Sequence, residues 1–242
     1  MTHLYLIRHG QAISATQKTF GDTGLSPLGI RQAERLRDRL AASHEIAADV
    51  LIASTFLRAR ETAEIIAPAL ELPIIFDGEV QEWRDGVTGD NSITIEEFTT
   101  GLNAEPIEQR PFFRATPASE TWVEFVSRVC TALNRITQEH EGKTIVIVCH
   151  GGIVDCSFIY WLGLSSLFFP RAFFATHNTS ITHWFRGSFA DLPESWILER
   201  YNDTMHLRDL NSEARIPWRQ IAARPVLDGD QAAVPTEAQQ AE

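Results

Sequence analysis

Leu4-Tyr5-Leu6-Ile7-Arg8-His9-Gly10 is a short apolar run that delivers an arginine, a histidine and a glycine at its C-terminal end. Residues 144–152 repeat the design, with Thr144-Ile145-Val146-Ile147-Val148-Cys149 followed by His150-Gly151-Gly152. Apolar runs this short and continuous read as strands buried on both faces, as in parallel sheets. Packing a core does not call for histidine and glycine at the ends of two such strands. Ligands of open α/β sheets bind outside the carboxyl ends of the strands. The pairing therefore predicts two imidazoles and an arginine at one such edge.

Working outward from β-like residues 3–8, a polar loop from Gln11 to Thr23 leads to Leu25-Ser26-Pro27-Leu28-Gly29. Ser26 reads as a helix N-cap and Pro27 as the first helical residue. Ala33, Leu36 and Leu40 give that helix an apolar stripe. Strands are expected at 49–53 and 74–76, with a helix at 56–67 that Pro68 ends or kinks. Residues 83–118 show no clear period and read as an excursion over one face. Trp122, Phe125, Val126, Val129, Leu133 and Ile136 then recur at helical spacing, with Ser119 near the cap. After the strand at 144–149 comes an apolar helix at 152–162, and residues 179–185 and 196–201 read as an antiparallel pair. Strands alternating with helices predict an α/β fold, a three-layer α/β/α sandwich whose central sheet is mostly parallel with an antiparallel edge. The expected organisation is a single domain over 1–225, with a cap or insertion at about 83–118. Residues 226–242 lack any basic residue and read as a disordered acidic tail.

Composition bounds the function. The 242 residues carry a net charge of -11, which argues against binding a nucleic-acid backbone over a broad surface. No run is long enough for a membrane span, and no signal peptide is read at the N-terminus. Cys130, Cys149 and Cys156 have no metal-ligand or redox spacing and suit free thiols in a reducing compartment, so the expected location is cytoplasmic. Only Lys18 and Lys143 are lysines, the other basic residues being arginines. Arginine offers the rigid fork that grips phosphate in two places. For most of them a coding bias is the sufficient reading, and only those at strand ends are read functionally.

Three further stretches join the two strand ends. Ser54-Thr55-Phe56-Leu57-Arg58-Ala59-Arg60-Glu61-Thr62-Ala63 follows the second strand, and Val80-Gln81-Glu82-Trp83-Arg84-Asp85-Gly86 follows the third. Pro117-Ala118-Ser119-Glu120-Thr121-Trp122 precedes the long helix. In order and spacing these resemble the histidine phosphatase superfamily, in its phosphoglycerate-mutase-like branch with the R-H-G signature, over residues 3–185. The resemblance implies an α/β sandwich, a phosphohistidine intermediate on His9, and Arg8, Arg58 and His150 around the phosphoryl group. It gives Glu82 the acid/base role.

The residue types fit that chemistry. A neutral imidazole can attack phosphorus and split one hard hydrolysis into two easier steps. Phosphoryl transfer asks mainly for alignment and for neutralised equatorial oxygens, which two arginines supply with paired donors. His150 adds a donor, strongest when protonated, and Gly10 and Gly151 leave room for backbone to approach. One carboxyl group can protonate the leaving alkoxide and then deprotonate water. On residue type alone Glu79, Glu82 and Asp85 are all candidates for that role, and Arg60 competes with Arg58. The resemblance selects Glu82 and Arg58. Gln11 and Asn178 fall where pocket contacts are expected, although Asn178 would serve equally to cap a turn.

No H-x-x-x-H or H-E-x-x-H pattern occurs among the histidines, and neighbouring arginines would repel a cation, so no metal and no cofactor are expected. Trp161, Phe168, Phe169, Phe173 and Phe174 are read as core and pocket-wall residues. The mutase branch carries Glu-Ser after R-H-G, a tyrosine three residues after the acid/base glutamate, and H-G-N. This chain has Gln11-Ala12, Asp85 and Gly152 instead. Those departures favour hydrolysis of a small phosphorylated metabolite over mutase transfer. A non-catalytic phospho-ligand-binding protein is the third reading, and retention of the histidine and its arginines weighs against it. The sequence leaves open both the identity of the ester and self-association as a homodimer.

Overall fold

A computed structural model describes residues 1–19, 21–86, 93–188 and 194–210. In chain order the elements are β1 (Thr2–Arg8), α1 (Ile13–Gln17), α2 (Pro27–Ser43), β2 (Val50–Ser54), α3 (Leu57–Leu70), β3 (Ile74–Asp77), α4 (Ile95–Ala104), α5 (Trp122–Glu139), β4 (Thr144–Cys149), α6 (Gly151–Trp161), β5 (Ile181–Gly187) and β6 (Ser195–Asp203). The six strands form one sheet in the order β3-β2-β4-β1-β5-β6. Contacts among β1, β2, β3 and β4 are parallel, whereas β5 joins β1 and β6 antiparallel. The expected mixed sheet with an antiparallel edge is the one observed.

The period-2 alternation of a strand sorts the two cores. Leu4, Leu6, Val50, Ile52, Ile145, Ile147 and Cys149 point to one face and pack with α5 and α6. Tyr5, Ile7, Leu51, Ala53, Val146 and Val148 point to the other and pack with α2 and α3. Burying a strand on both faces removes any need for polar positions, which is why β1 and β4 read as unbroken apolar runs. Among the described residues no helix is long and apolar enough to cross a membrane.

The register brings the two strand ends together. Arg8 lies opposite Cys149 in the β1–β4 pair, and the His9 N–H donates to the Cys149 carbonyl at 2.9 Å. Beyond this point the chain from β1 passes to the α2/α3 face, while the chain from β4 enters α6 on the other face. Adjacent strands whose continuations part in this way open a crevice at their carboxyl ends.

Several local expectations are corrected. Residues 83–118 are not wholly irregular, because α4 forms there behind a capping box in which Thr94 and Glu97 each satisfy the other's backbone. Its residues 87–92 lie outside the described residues, as do 226–242 and the tail expected there. The N-cap of α5 is Thr121, again in a capping box with Glu124, rather than Ser119. Ser119 instead closes a turn on Thr116. Pro68 does not end α3, which runs to Leu70; the residue four back is the exposed Glu64, where a missing bond costs little. The polar loop after Gly10 contains the short α1. Phe168 is 75% exposed and packs no core, whereas Trp161 and Phe169 pack against the α5/α6 cluster as expected.

Candidate active site

His9 leaves the end of β1 with its ring 7% exposed. Its Nδ1 lies 2.6 Å from the Gly10 carbonyl, which can only accept, so Nδ1 carries the proton. The lone pair is left on Nε2, where the Arg58 Nε–H donates at 3.2 Å. Burial, then Arg58 and Arg8, push the His9 pKa well below the ordinary histidine value. The ring is thus a neutral imidazole with one directed lone pair, the form a nucleophile needs.

His150 stands at the end of β4, with ring centroids 5.0 Å from His9. Its Nε2 pairs with Ser54 Oγ at 2.8 Å. Its buried Nδ1 has no hydrogen-bond partner among the described residues. Burial, then Arg58, His9, Arg8 and Arg128, hold its pKa well below the ordinary value, so the ring is neutral rather than protonated. Arg8 is anchored through Nη1 to the Thr176 carbonyl, and its buried Nε is also without a partner among the described residues. Burial lowers its pKa to about 10, opposed by Glu82 and reinforced by Arg58, and it remains a cation at neutral pH. Unpaired buried donors cost free energy, and such groups mark a place where a ligand supplies the acceptor.

The choice of Arg58 over Arg60 follows from α3. Arg58 is buried beside His9 and donates from Nη1 to the Gly21 carbonyl at 3.1 Å. Arg60 points away and lies over the Phe76 ring. The other polar members of the surrounding motif have posts as well: Ser54 on His150, Thr55 accepting from Gln81 Nε2 at 2.6 Å, Glu61 accepting from the Leu25 N–H at 2.6 Å, and Thr62 accepting from the Gly10 N–H at 3.1 Å. Sequence reasoning had not assigned Ser54, Glu61 or Thr62, because each acts on a segment distant in the chain.

Glu82 follows the single 3-10 turn Gly78–Val80 after β3. Its Oε2 accepts from the Gly152 N–H, at the start of α6, at 3.0 Å, and its Oε1 from the Trp83 N–H at 3.1 Å. A Cβ at Gly152 would lie 2.2 Å from Glu82 Oε1, so only glycine lets the carboxylate sit there. The remaining pocket residues hold the frame. A Cβ at Gly10 would meet the Gly29 carbonyl oxygen at 2.5 Å, so this glycine is required by the approach of α2. At Gly151 a Cβ would come no nearer than 3.8 Å to Arg8 Nε, an ordinary contact. Gln11 Oε1 accepts from Ser26 Oγ at 2.7 Å. Asn178 Nδ2 donates to the His9 carbonyl at 2.9 Å, so Asn178 braces the backbone of His9, and the neighbouring Thr179 adopts a left-handed φ of 55° as its N–H reaches the Arg8 carbonyl.

One further carboxylate lies close by. Asp155, on the same face of α6 as Gly151 one turn later, accepts from the Phe174 N–H at 3.0 Å. Burial raises its pKa to about 7; the Phe174 N–H and Arg8 oppose the rise and Glu82 adds to it. Among the described residues no group of three or more His, Cys, Asp or Glu is arranged to hold a metal ion.

This geometry coincides with a family model. Residues 4–204 match the histidine phosphatase superfamily (branch 1).

The chain belongs to the histidine phosphatase superfamily.

Among curated members it is 28% identical over 214 residues to a probable phosphoglycerate mutase GpmB of Proteus mirabilis, covering 87% of this chain and 97% of that one. Bacillus stearothermophilus YhfR is 28% identical, with a TM-score of 0.65 over 86% of this chain and 100% of its own. A phosphoserine phosphatase of Entamoeba histolytica, crystallised with phosphoserine, superposes with a TM-score of 0.66 over 86% of this chain and 100% of its own, at 23% identity. That last likeness bears on the superfamily fold alone.

Proposed function

We propose that the protein is a phosphatase that hydrolyses a small phosphomonoester through a phosphohistidine on His9. The observation that carries this reading is the neutral His9 lone pair beside Arg58 Nε, with the partnerless donor Arg8 Nε and the partnerless His150 Nδ1 in the same crevice. An entering phosphoryl group gives Arg8 Nε its acceptor and His150 Nδ1 a partner, and Arg58 Nε turns from the imidazole to an equatorial oxygen. His9 Nε2 attacks phosphorus, the bond to the ester oxygen breaks, and Glu82 delivers a proton to the departing alkoxide. A water then attacks phosphorus and gives a proton to Glu82 as the phosphorus–nitrogen bond breaks; the bond's electron pair returns to Nε2, which restores the neutral ring and releases inorganic phosphate. In this reading the arginines do the work of charge neutralisation and no metal is required.

A mutase would share the first step, and the name of the GpmB relatives points that way. Hydrolysis is favoured by Gln11, Asp85 and Gly152. Gln11 Oε1 is engaged by Ser26, and position 152 has no space for a side chain beside Glu82. The test incubates the enzyme with a panel of phosphomonoesters in EDTA, and separately with 3-phosphoglycerate plus catalytic bisphosphoglycerate. Phosphate release that survives chelation and is lost in His9→Ala is expected. Rapid 2-phosphoglycerate formation without net phosphate release, or a trapped phosphoenzyme labelled on another residue, would overturn the reading.

A further inference from the structure

Arg128 projects from the middle of α5 with its side chain 7% exposed. Its guanidinium carries five N–H donors, and each has an acceptor. Nε and one Nη2 hydrogen form a two-pronged pair with the Glu120 carboxylate at 2.6 and 2.7 Å. Nη1 donates to the carbonyls of Glu79 at 2.7 Å and Gln81 at 3.1 Å, and Nη2 also to that of Glu82 at 3.3 Å. Glu120 closes the arrangement by accepting from the Arg84 N–H at 3.0 Å and, through its own carbonyl, from Trp83 Nε1 at 2.7 Å. The carbonyls of Glu79, Gln81 and Glu82 and the Arg84 N–H are thereby tied to one ion pair, beside the anchors that Val80, Gln81 and Trp83 make through their own side chains. No regular secondary structure holds the segment from Glu79 to Arg84 after its 3-10 turn, and it carries the carboxylate that meets the start of α6.

We propose that Arg128, oriented by Glu120, is a positioning residue for proton transfer: it fixes the backbone of Glu82 so that its carboxylate sits at the Gly152 N–H beside the phosphoryl site. This rests on the acid/base role given to Glu82 above. A planar fork is needed, since an ammonium offers three donors around a point and cannot face a carboxylate and three carbonyls at once. Arg128 itself lies behind the segment, and its hydrogen bonds act on the site through the backbone that carries Glu82, while its charge adds a smaller downward push on the His150 pKa.

Leaving-group dependence separates positioning from general structural support. Glycerol 2-phosphate needs its alkoxide protonated, whereas p-nitrophenolate leaves p-nitrophenyl phosphate unaided. Arg128→Met would strand Glu120 as a buried anion, so the variant measured is Arg128→Met/Glu120→Gln, with Arg128→Lys as a milder second. The double variant is expected to lower kcat on glycerol 2-phosphate about 100-fold, with KM nearly unchanged and the pre-steady-state burst on p-nitrophenyl phosphate slowed less than about threefold. Arg128→Lys should show the same selectivity at smaller amplitude. Equal losses on both esters, or no loss, would overturn the inference. Glu82→Gln is run in parallel: if it discriminates between the esters and the Arg128 variants do not, only this inference fails. If Glu82→Gln does not discriminate, the acid/base assignment fails and the inference with it.

Discussion

Gly152→Ala tests the geometry of Glu82 with a single methyl group. The added carbon would lie 2.2 Å from Glu82 Oε1 and 2.8 Å from Phe125 Cζ, where ordinary contact begins near 3.4 Å. Phe125 is 1% exposed and wedged among Trp83, Trp122 and the sheet, so the glutamate gives way. It must retreat by about 1.2 Å, the difference between 3.4 and 2.2 Å. A misplacement of about 1 Å in a reacting group costs on the order of 100-fold in rate, or about 2.7 kcal/mol of barrier. The fold should survive, since alanine is the better helix former by about 1 kcal/mol. The assay is steady-state hydrolysis of glycerol 2-phosphate beside the burst with p-nitrophenyl phosphate, with a thermal melt as control. A wild-type rate on the glycerol ester would refute the claim that this contact positions the acid, and so would an equal drop in the nitrophenyl burst.

Asp155 makes stability depend on pH. Its pKa is near 7 in the folded chain against an ordinary 3.8, so between these values the folded state holds a proton that the unfolded state has lost. Stability therefore falls as pH rises from about 4 to 7 and is level above. Asp155→Asn keeps an acceptor for the Phe174 N–H and should gain on the order of 2–4 kcal/mol over wild type at pH 8, with little gain at pH 4; a denaturant-melt difference that does not vary with pH contradicts this. The depressed pKa values of His9 and His150 predict that both rings are neutral in the ligand-free protein at pH 6. Nitrogen-15 NMR of the imidazoles reads this directly, and an imidazolium signal from either ring would oppose it. Thr121→Ala removes the α5 cap and should cost about 1 kcal/mol, seen as a melting temperature lower by about 2–4 °C; an unchanged melt would show that Glu124 alone suffices.

What could be read from the chain follows the range of the forces involved. β1 and β4 were legible because a strand buried on both faces must be apolar throughout, and the histidines because nothing in packing explains them. Arg58 was chosen over Arg60 through its place in a ten-residue pattern, and the structure gives the reason in its bond to His9. The Thr94–Glu97 box was visible in principle, but α4 lacked an apolar stripe clear enough to prompt the reading. Arg128 and Asp155 could not be found, and Glu120 stood in the 117–122 stretch with no sign of its partner. A guanidinium that serves carbonyls more than forty residues away leaves no local spacing, and the burial that lifts Asp155 exists only after the segment at 174–176 has folded over it. Gly10 and Gly152 were noticed as glycines, yet the atoms that require them, the Gly29 carbonyl and the Glu82 carboxylate, belong to other segments.

The placement of His9 and His150 on neighbouring strands has a consequence for what can vary. Strands paired by hydrogen bonds stand about 4.8 Å apart whatever their side chains, and the two rings, one residue beyond the Arg8–Cys149 register pair, are 5.0 Å apart. The sheet acts as a ruler, and the gap between the two rings, proposed above to receive phosphorus, is one of its divisions. Substitutions on either face of the sheet can erode the melting temperature without widening that gap. Changes in the segments at 83–86 and 163–176 can remodel what surrounds that gap while the same two marks stay in place.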